Sequence, residues 1–390
     1  MMKYPAIPRP STNKGGQILR CNCITNEIQV IYTAPAGISF RMAITHGDKI
    51  YFGSYDVGNV SDGVSEKNQN NEILCIDEKD NIKKVFSSNE GTSLRAACEM
   101  NGQLYFGGVD SSETLEPGAE NCARLAILTI DDNDNTKWNR VADYRDFGIL
   151  YAADSMMFSP ITSPVWDICS YKGDIYATIP NSKGFAVFRG HPAKDGEQAN
   201  EYGWNWSEAV GLKNGINPIG MNPAISTESE KLVSILATPV VFNNQLYLFD
   251  FDNTVAAELD AFSGLMQQLA GNDIKPSQYL RSVYTTLRHP QNLWKLNDAT
   301  GKFEKIENFS KLMQNTTNEY VWRAEVHNNE LYLTTMDSAV IYDYITKLTN
   351  GSFLKKAPQE LLEQLGYIKG LSHLSNPIFP KKHSRQNNSL

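Results

Sequence analysis

The phrase Asn101-Gly102-Gln103-Leu104-Tyr105-Phe106-Gly107 has four counterparts in the chain. They are Gly47-Asp48-Lys49-Ile50-Tyr51-Phe52-Gly53, Lys172-Gly173-Asp174-Ile175-Tyr176-Ala177-Thr178, Asn243-Asn244-Gln245-Leu246-Tyr247-Leu248-Phe249 and Asn328-Asn329-Glu330-Leu331-Tyr332-Leu333-Thr334. Each opens on a residue pair that tolerates positive φ and continues into β-branched or aromatic residues, the signature of a two-residue hairpin turn entering a strand. Upstream of every turn lies a short apolar run: 40–45, 94–100, 165–171, 237–242 and 321–327. These runs supply the first strand of each hairpin.

Downstream of the repeated phrase a second, more polar hairpin follows. Examples are 73–77 turning at Asp80-Asn81 into 82–86, 125–130 turning at 132–135 into 138–142, and 293–296 turning at 299–301 into 303–306. Four strands per unit make a propeller blade, so the expected fold is an all-β propeller of about five four-stranded blades. The repeated tyrosines are 54, 71, 71 and 85 residues apart, which implies loops of unequal length. Residues 17–34 read as an outer hairpin with no inner pair before it, and are expected to complete the fifth blade and close the ring, removing two exposed sheet edges.

Residues 1–14 read as an N-terminal extension, 15–348 as the propeller, 349–380 as a C-terminal helical segment and 381–390 as a disordered tail. Helix-favouring residues at helical spacing predict an insertion over about 254–287 and a helix over 358–367.

At 390 residues and 41% hydrophobic, one long repeat domain is compatible with the chain. A net charge of −8, without a basic cluster beyond Lys381-Lys382-His383, argues against a nucleic-acid partner. No stretch reaches the roughly 20 apolar residues of a membrane span, and the first ten residues carry no apolar leader, so no membrane partner and a cytoplasmic location are expected. Cys75, Cys98 and Cys169 fall in strand-like runs and read as structural thiols; Cys21 and Cys23 fit neither a mutual disulfide nor a C-x-x-C motif. The chain is expected to be a monomer needing no cofactor.

The phrases Phe40-Arg41-Met42-Ala43-Ile44 leading to Ile50-Tyr51-Phe52-Gly53, and Val321-Trp322-Arg323-Ala324-Glu325-Val326 leading to Leu331-Tyr332-Leu333-Thr334, resemble a loose group of bacterial propeller proteins. In that group an aromatic-Arg pair, an Asn-Gly turn and a Leu-Tyr-Val-Gly strand recur around the ring. The resemblance spans residues 15–345 and implies the fold but no activity. The chain departs from the pattern at Thr238-Pro239, where no Arg stands, and in the helical insertion.

Five residues after each repeated tyrosine, where the second strand ends, stand Asp56, Asp110, Asn181, Asp252 and Asp337. At the start of the inner strands stand Arg41, Arg95, Asp167, Thr238 and Arg323, which counting across the turns sets opposite Ser54, Gly108, Thr178, Phe249 and Thr334. Arg and Asp would then mix at one channel mouth, suited to holding a polar ligand through bidentate Arg contacts, or to acid and base work by a carboxyl of raised pKa. The competing reading is architectural: repeated Asp residues cap loops, and repeated Arg residues tie blades together through carbonyls. Asp167, Asn181 and Thr238 break the symmetry, as a single ligand site must.

Trp204 and Trp206 suit either sugar stacking or packing between blades. Asp131–Asn135 fits a hairpin turn better than a calcium loop. His46, His191, His289, His327 and His373 lack metal-ligand spacing and read as surface residues, so no metal site is expected. No nucleophile elbow, phosphate loop or dinucleotide fingerprint occurs. The leading functional reading is therefore binding of a polar small molecule, saccharide or protein segment at the channel mouth. A glycosidase or lyase using carboxylates there, and a protein-interaction scaffold, stand beside it.

Overall fold

The computed structural model describes residues 15–35, 38–56, 71–88, 93–109, 125–130, 137, 139–147, 165–179, 185–210, 221–222, 232–252, 292–308 and 318–337. Most of them are strand, and helix is confined to a single turn. β1 (Gln17–Cys21) and β2 (Ile28–Thr33) form an N-terminal hairpin. The first large sheet runs in order β3 (Ile38–His46), β4 (Lys49–Asp56), β5 (Asn71–Ile76) and β6 (Ile82–Ser88). The second comprises β7 (Ser93–Met100), β8 (Gln103–Val109) and β9 (Leu125–Ile130), and is followed by a single helical turn, α1 (Tyr144–Phe147). The third comprises β10 (Asp167–Tyr171), β11 (Asp174–Ile179), β12 (Ala186–Pro192) and β13 (Trp204–Val210). The fourth places the short β14 (Met221–Asn222) beside β15 (Leu232–Phe242), then β16 (Gln245–Asp252), β17 (Asn292–Asn297) and β18 (Lys302–Asn308). The last pair is β19 (Asn318–His327) and β20 (Glu330–Asp337). All six sheets are antiparallel, and the inner strands β3, β7, β10, β15 and β19 lie side by side in chain order.

The repeated turns take the backbone their residues favour. Asn101-Gly102, Lys172-Gly173, Asn243-Asn244 and Asn328-Asn329 have positive φ at both central positions, between 50° and 82°, as a type I′ hairpin turn requires. Gly47-Asp48 is positive at Gly47 alone, the pattern of a type II′ turn.

Strand alternation then divides each sheet between two neighbours. Met42 and Tyr51 of the first sheet pack on Leu94 and Phe106 of the second. Ala96, Cys98 and Tyr105 meet Ile168 and Ile175 of the third. Tyr171 and Tyr176 meet Ala237 and Leu246 of the fourth, and Val240 and Phe249 meet Val321 of the fifth. The repeated glycines set the spacing: a Cβ on Gly107 would lie 2.8 Å from Cγ1 of Val165, and one on Gly53 would lie 3.0 Å from Cβ of Leu94. In these two copies the repeated phrase thus encodes both the turn and the approach of the next sheet.

Three expectations are revised. The second sheet has three described strands, because residues 139–142 form no strand and lead into α1 instead. Side chains hold this segment: Val141 O accepts hydrogen bonds from Asn200 Nδ2 (3.0 Å) and Trp206 Nε1 (2.8 Å). The fourth sheet gains β14 as an extra strand. The N-terminal hairpin packs Ile18, Ile31 and Tyr32 against Leu74, Ile76 and Phe52 of the first sheet, and is a separate sheet from β19–β20. The insertion at 254–287, the helix at 358–367 and the tail from 381 lie outside the described residues. Among the described residues, no helix is long and apolar enough to cross a membrane.

Gly107→Val should lower stability in urea titration by about 1–3 kcal/mol, the usual cost of overpacking a filled contact. The same substitution at exposed Lys305 should change it by less than about 0.5 kcal/mol.

Candidate functional site

Asp167, Thr238 and Arg323 pair across their hairpins with Thr178, Phe249 and Thr334, as counting from the turns predicts. Arg41 and Arg95 do not pair with Ser54 and Gly108. The ladder passes from Phe40 to Met42 and from Leu94 to Ala96, so each arginine is the extra residue of a β-bulge. Trp322 is skipped in the same way between Val321 and Arg323. A bulge cannot be seen by counting residues. It moves Arg41 and Arg95 into the layer of Trp166 and Trp322, one step outward from Asp167 and Arg323.

Those layers meet at the centre of the molecule. The Arg95 guanidinium lies 3.4 Å from the ring centroid of Trp166 and 5.9 Å from that of Trp322, and the two indoles meet edge to face at 6.4 Å. Arg323 reaches from the fifth sheet to three others. Its Nη1 pairs with Oδ2 of Asp167 at 2.8 Å, and its Nη2 donates to the carbonyl of Arg41 at 3.2 Å and to that of Arg95. The second carboxylate oxygen of Asp167 accepts from the Ile168 amide at 3.0 Å. Burial pushes the Asp167 carboxyl up from its usual range, against the opposing pull of Arg323, the Ile168 amide and Arg95. Both its oxygens are nevertheless held by fixed donors.

Inside this layer a cavity of about 820 Å³ is bounded by residues of all five inner strands. Arg41, Asp167 and Arg323 line one end; Thr45, Glu99, Ser170, Glu325 and His327 line the other. Ala43 and Ala97 stand between them. Glu99 and Glu325 were missed by sequence reasoning, and His327 was read as a surface residue, although strand alternation from Ala97 and Arg323 puts all three on the same strand faces. Glu99 pairs with His46 Nδ1 at 2.8 Å.

Asp56, Asp252 and Asp337 end their strands opposite Ile38, Ser234 and Asn318, at the same end as the arginines. Asp110, Asn181, the turn at 131–135, His289 and His373 lie outside the described residues. Three residues after the repeated tyrosine, a second polar position emerges: buried Ser54 accepts from the Glu72 amide at 2.6 Å, and buried Asp250 from the Asn292 amide at 2.7 Å. Asp250 also accepts from Trp294 Nε1 at 2.8 Å. These side chains fasten the third strand and belong to the scaffold. Thr238 is likewise architectural, its hydroxyl donating to the Val321 carbonyl at 2.9 Å.

The tryptophans of β13 pack between sheets: Trp204 is buried edge-on to Tyr105 (5.7 Å), and Trp206 stacks on Trp204 (5.9 Å, 21°). Burial raises the Cys98 and Cys169 thiols, consistent with inert core residues. His191 departs from a surface role, bridging Asp174 (3.3 Å) and Glu197 (2.9 Å). Among the described residues no group of three or more His, Cys, Asp and Glu is placed to hold a metal ion.

No family model matches the chain, and no curated protein matches it. Among solved structures it is similar to a nidogen/laminin complex (12% identity, 84% of this chain and 88% of that one, TM-score 0.40). Others are the major Malassezia sympodialis allergen Mala s 1 (11%, 83% and 81%, 0.40) and a mutant Bombyx mori GH32 beta-fructofuranosidase in complex with sucrose (10%, 75% and 53%, 0.37). At these scores the likenesses transfer neither a family nor an activity.

Because the native Asp167 pKa is raised, the folded state holds this proton where the unfolded chain releases it. Its contribution to stability is full below the ordinary carboxylate value of 3.8 and is lost as pH rises through the native value. Melting curves of wild type and Asp167→Asn should therefore diverge on acidification, wild type gaining relative to the variant. Arg323→Met should cost about 3 kcal/mol in chemical denaturation by leaving a buried carboxylate unpaired, and Arg323→Met with Asp167→Leu should recover most of it.

Proposed function

We propose that the five inner strands close into a five-bladed propeller, and that the protein binds a polar ligand, a saccharide or a peptide segment, in the central cavity. The observation that carries this reading is the cavity itself, bounded by all five inner strands and lined by charged groups at both ends. Closure is supported by the hydrogen bond from Arg323 to the Arg41 carbonyl, which links the fifth sheet to the first, and by the N-terminal hairpin packed on the first sheet. Binding is favoured over glycoside cleavage at Asp167, since a catalytic acid needs an oxygen available to substrate while Asp167 is locked between Arg323 and the Ile168 amide.

A scaffold role is the second reading, favoured by one feature. Leu19, Ile28 and Val30 of the N-terminal hairpin are 55%, 68% and 47% exposed, and the register sets Leu19 opposite Val30, giving one apolar face.

A thermal-shift screen against neutral and acidic oligosaccharides and short peptides tests the proposal, repeated with Ala43→Trp, which fills the cavity from an exposed wall position. A stabilising probe whose effect disappears in Ala43→Trp is the expected result. Shifts that survive the filled cavity would move the site elsewhere.

A further inference from the structure

The second sheet ends differently from its neighbours. The first, third and fourth sheets continue outward to β6, β13 and β18, whereas the second stops at β9 among the described residues. Residues 139–142 form no strand and are held from the third sheet through Val141 instead. Beside this segment lies a recess of about 740 Å³, within the roughly 300–1,000 Å³ usual for small-molecule sites. It shares none of its described lining residues with the central cavity.

Strand geometry builds its walls. Gln103 and Tyr105 are two residues apart on β8, and Thr129 of β9 stands opposite Tyr105, so the three lie on one face of the second sheet. The third sheet brings Trp204, preceded by Tyr202, and Asn139 comes from the segment before α1. The Tyr202 ring is half-buried and is fixed at its hydroxyl, which donates to Asp143 Oδ2 at 2.9 Å and accepts from Arg145 Nη2 at 3.2 Å. Arg145 in turn forks onto Asp143 through Nε at 3.0 Å and through Nη2, and pairs with Glu201. This network holds one aromatic ring rigidly at the wall of the recess, so no ordering of that ring opposes binding.

The neutral polar groups of the lining have hydrogen-bonding capacity to spare. Among the described residues the Asn139 side-chain amide has no hydrogen-bond partner, and the Gln103 amide uses only its oxygen, which accepts from the Tyr105 hydroxyl at 3.2 Å. The Thr129 hydroxyl has one long contact, 3.5 Å to the Lys137 carbonyl. A carboxamide sets donors beside an acceptor, and neighbouring sugar hydroxyls offer the same pairing in reverse. The described lining holds no carboxylate to balance a cation, and its one charged residue, Arg140, is engaged by the Tyr202 side chain. We infer that this recess binds a neutral mono- or disaccharide, its hydroxyls bonded to Gln103, Asn139 and Thr129 and one ring face laid on Tyr202. A capped peptide could use the same amides, but it has no flat face of C–H groups to set against the fixed ring. The inference is independent of the central-cavity reading.

Saturation-transfer NMR of the full chain with maltose, cellobiose and lactose tests it, with N-acetyl-trialanine amide as the peptide probe. Gln103 and Asn139 are exposed, so Gln103→Ala and Asn139→Ala should fold as wild type does. The expected result is binding of at least one sugar, weakened about fivefold in each variant by the loss of one or two hydrogen bonds, and unchanged in Ala43→Trp. Silence of all three sugars, or binding that both amide variants leave intact, would overturn the inference. The capped peptide binding where no sugar does would overturn it in favour of a peptide site. A probe lost in Ala43→Trp marks the central cavity and one lost in Asn139→Ala marks the recess, so the two readings fail separately.

Discussion

The Arg323 guanidinium is the point on which the centre of the molecule depends. Adjacent sheets meet mainly through apolar side chains, which resist separation but have little directional preference. Arg323 supplies direction. One planar group with fixed donors reaches the Asp167 carboxylate of the third sheet and the carbonyls of Arg41 and Arg95 in the first and second. The carbonyls belong to the two bulge residues, so the distortions of β3 and β7 serve the same contact. Arg95 is in turn clamped by Trp166 and Trp322. Four of the five inner strands are thereby joined through a single polar node.

Such a node carries a cost, because a carboxylate and a guanidinium removed from water recover their hydration only where every lone pair and proton finds a partner. Asp167 has a donor on each oxygen, Arg323 on one and the Ile168 amide on the other. The same demand explains Ser54 and Asp250, each satisfying a backbone amide at the start of a third strand. The polar residues near the centre thus divide into those whose partners are within the scaffold and those, such as Glu325 and Thr45, that face the cavity.

Much of this was legible in the sequence. The repeated turn phrase located the five inner hairpins, because positive φ at two successive residues confines the choice to Asn, Gly and a few others, and the structure shows those angles at four of the five turns. The outer hairpins at Asp80 and Gly301 were legible for a related reason, since each turns on one residue type that tolerates positive φ. The three-stranded second sheet was not: residues 138–142 have strand-like composition, but Asn200 and Trp206, some sixty residues later, capture Val141 in place of a ladder. The candidate site was half legible. Strand ends could be counted from the turns, which correctly set Asp167, Thr238 and Arg323, while the bulges at Arg41 and Arg95 broke the count. Glu325 went unremarked, and His327 read only as a surface residue, because their place on the cavity wall is a property of sheet neighbours rather than of local pattern.

The bulges also bear on how the repeats should be matched to one another. Phe40-Arg41 and Trp322-Arg323 look like the same aromatic-Arg pair, yet by hydrogen-bond register Arg41 corresponds to Trp322, and Met42 to Arg323. A gap-free superposition of the repeats therefore equates side chains that point in different directions. Substitution histories inferred from such an alignment would assign one ancestry to two distinct positions.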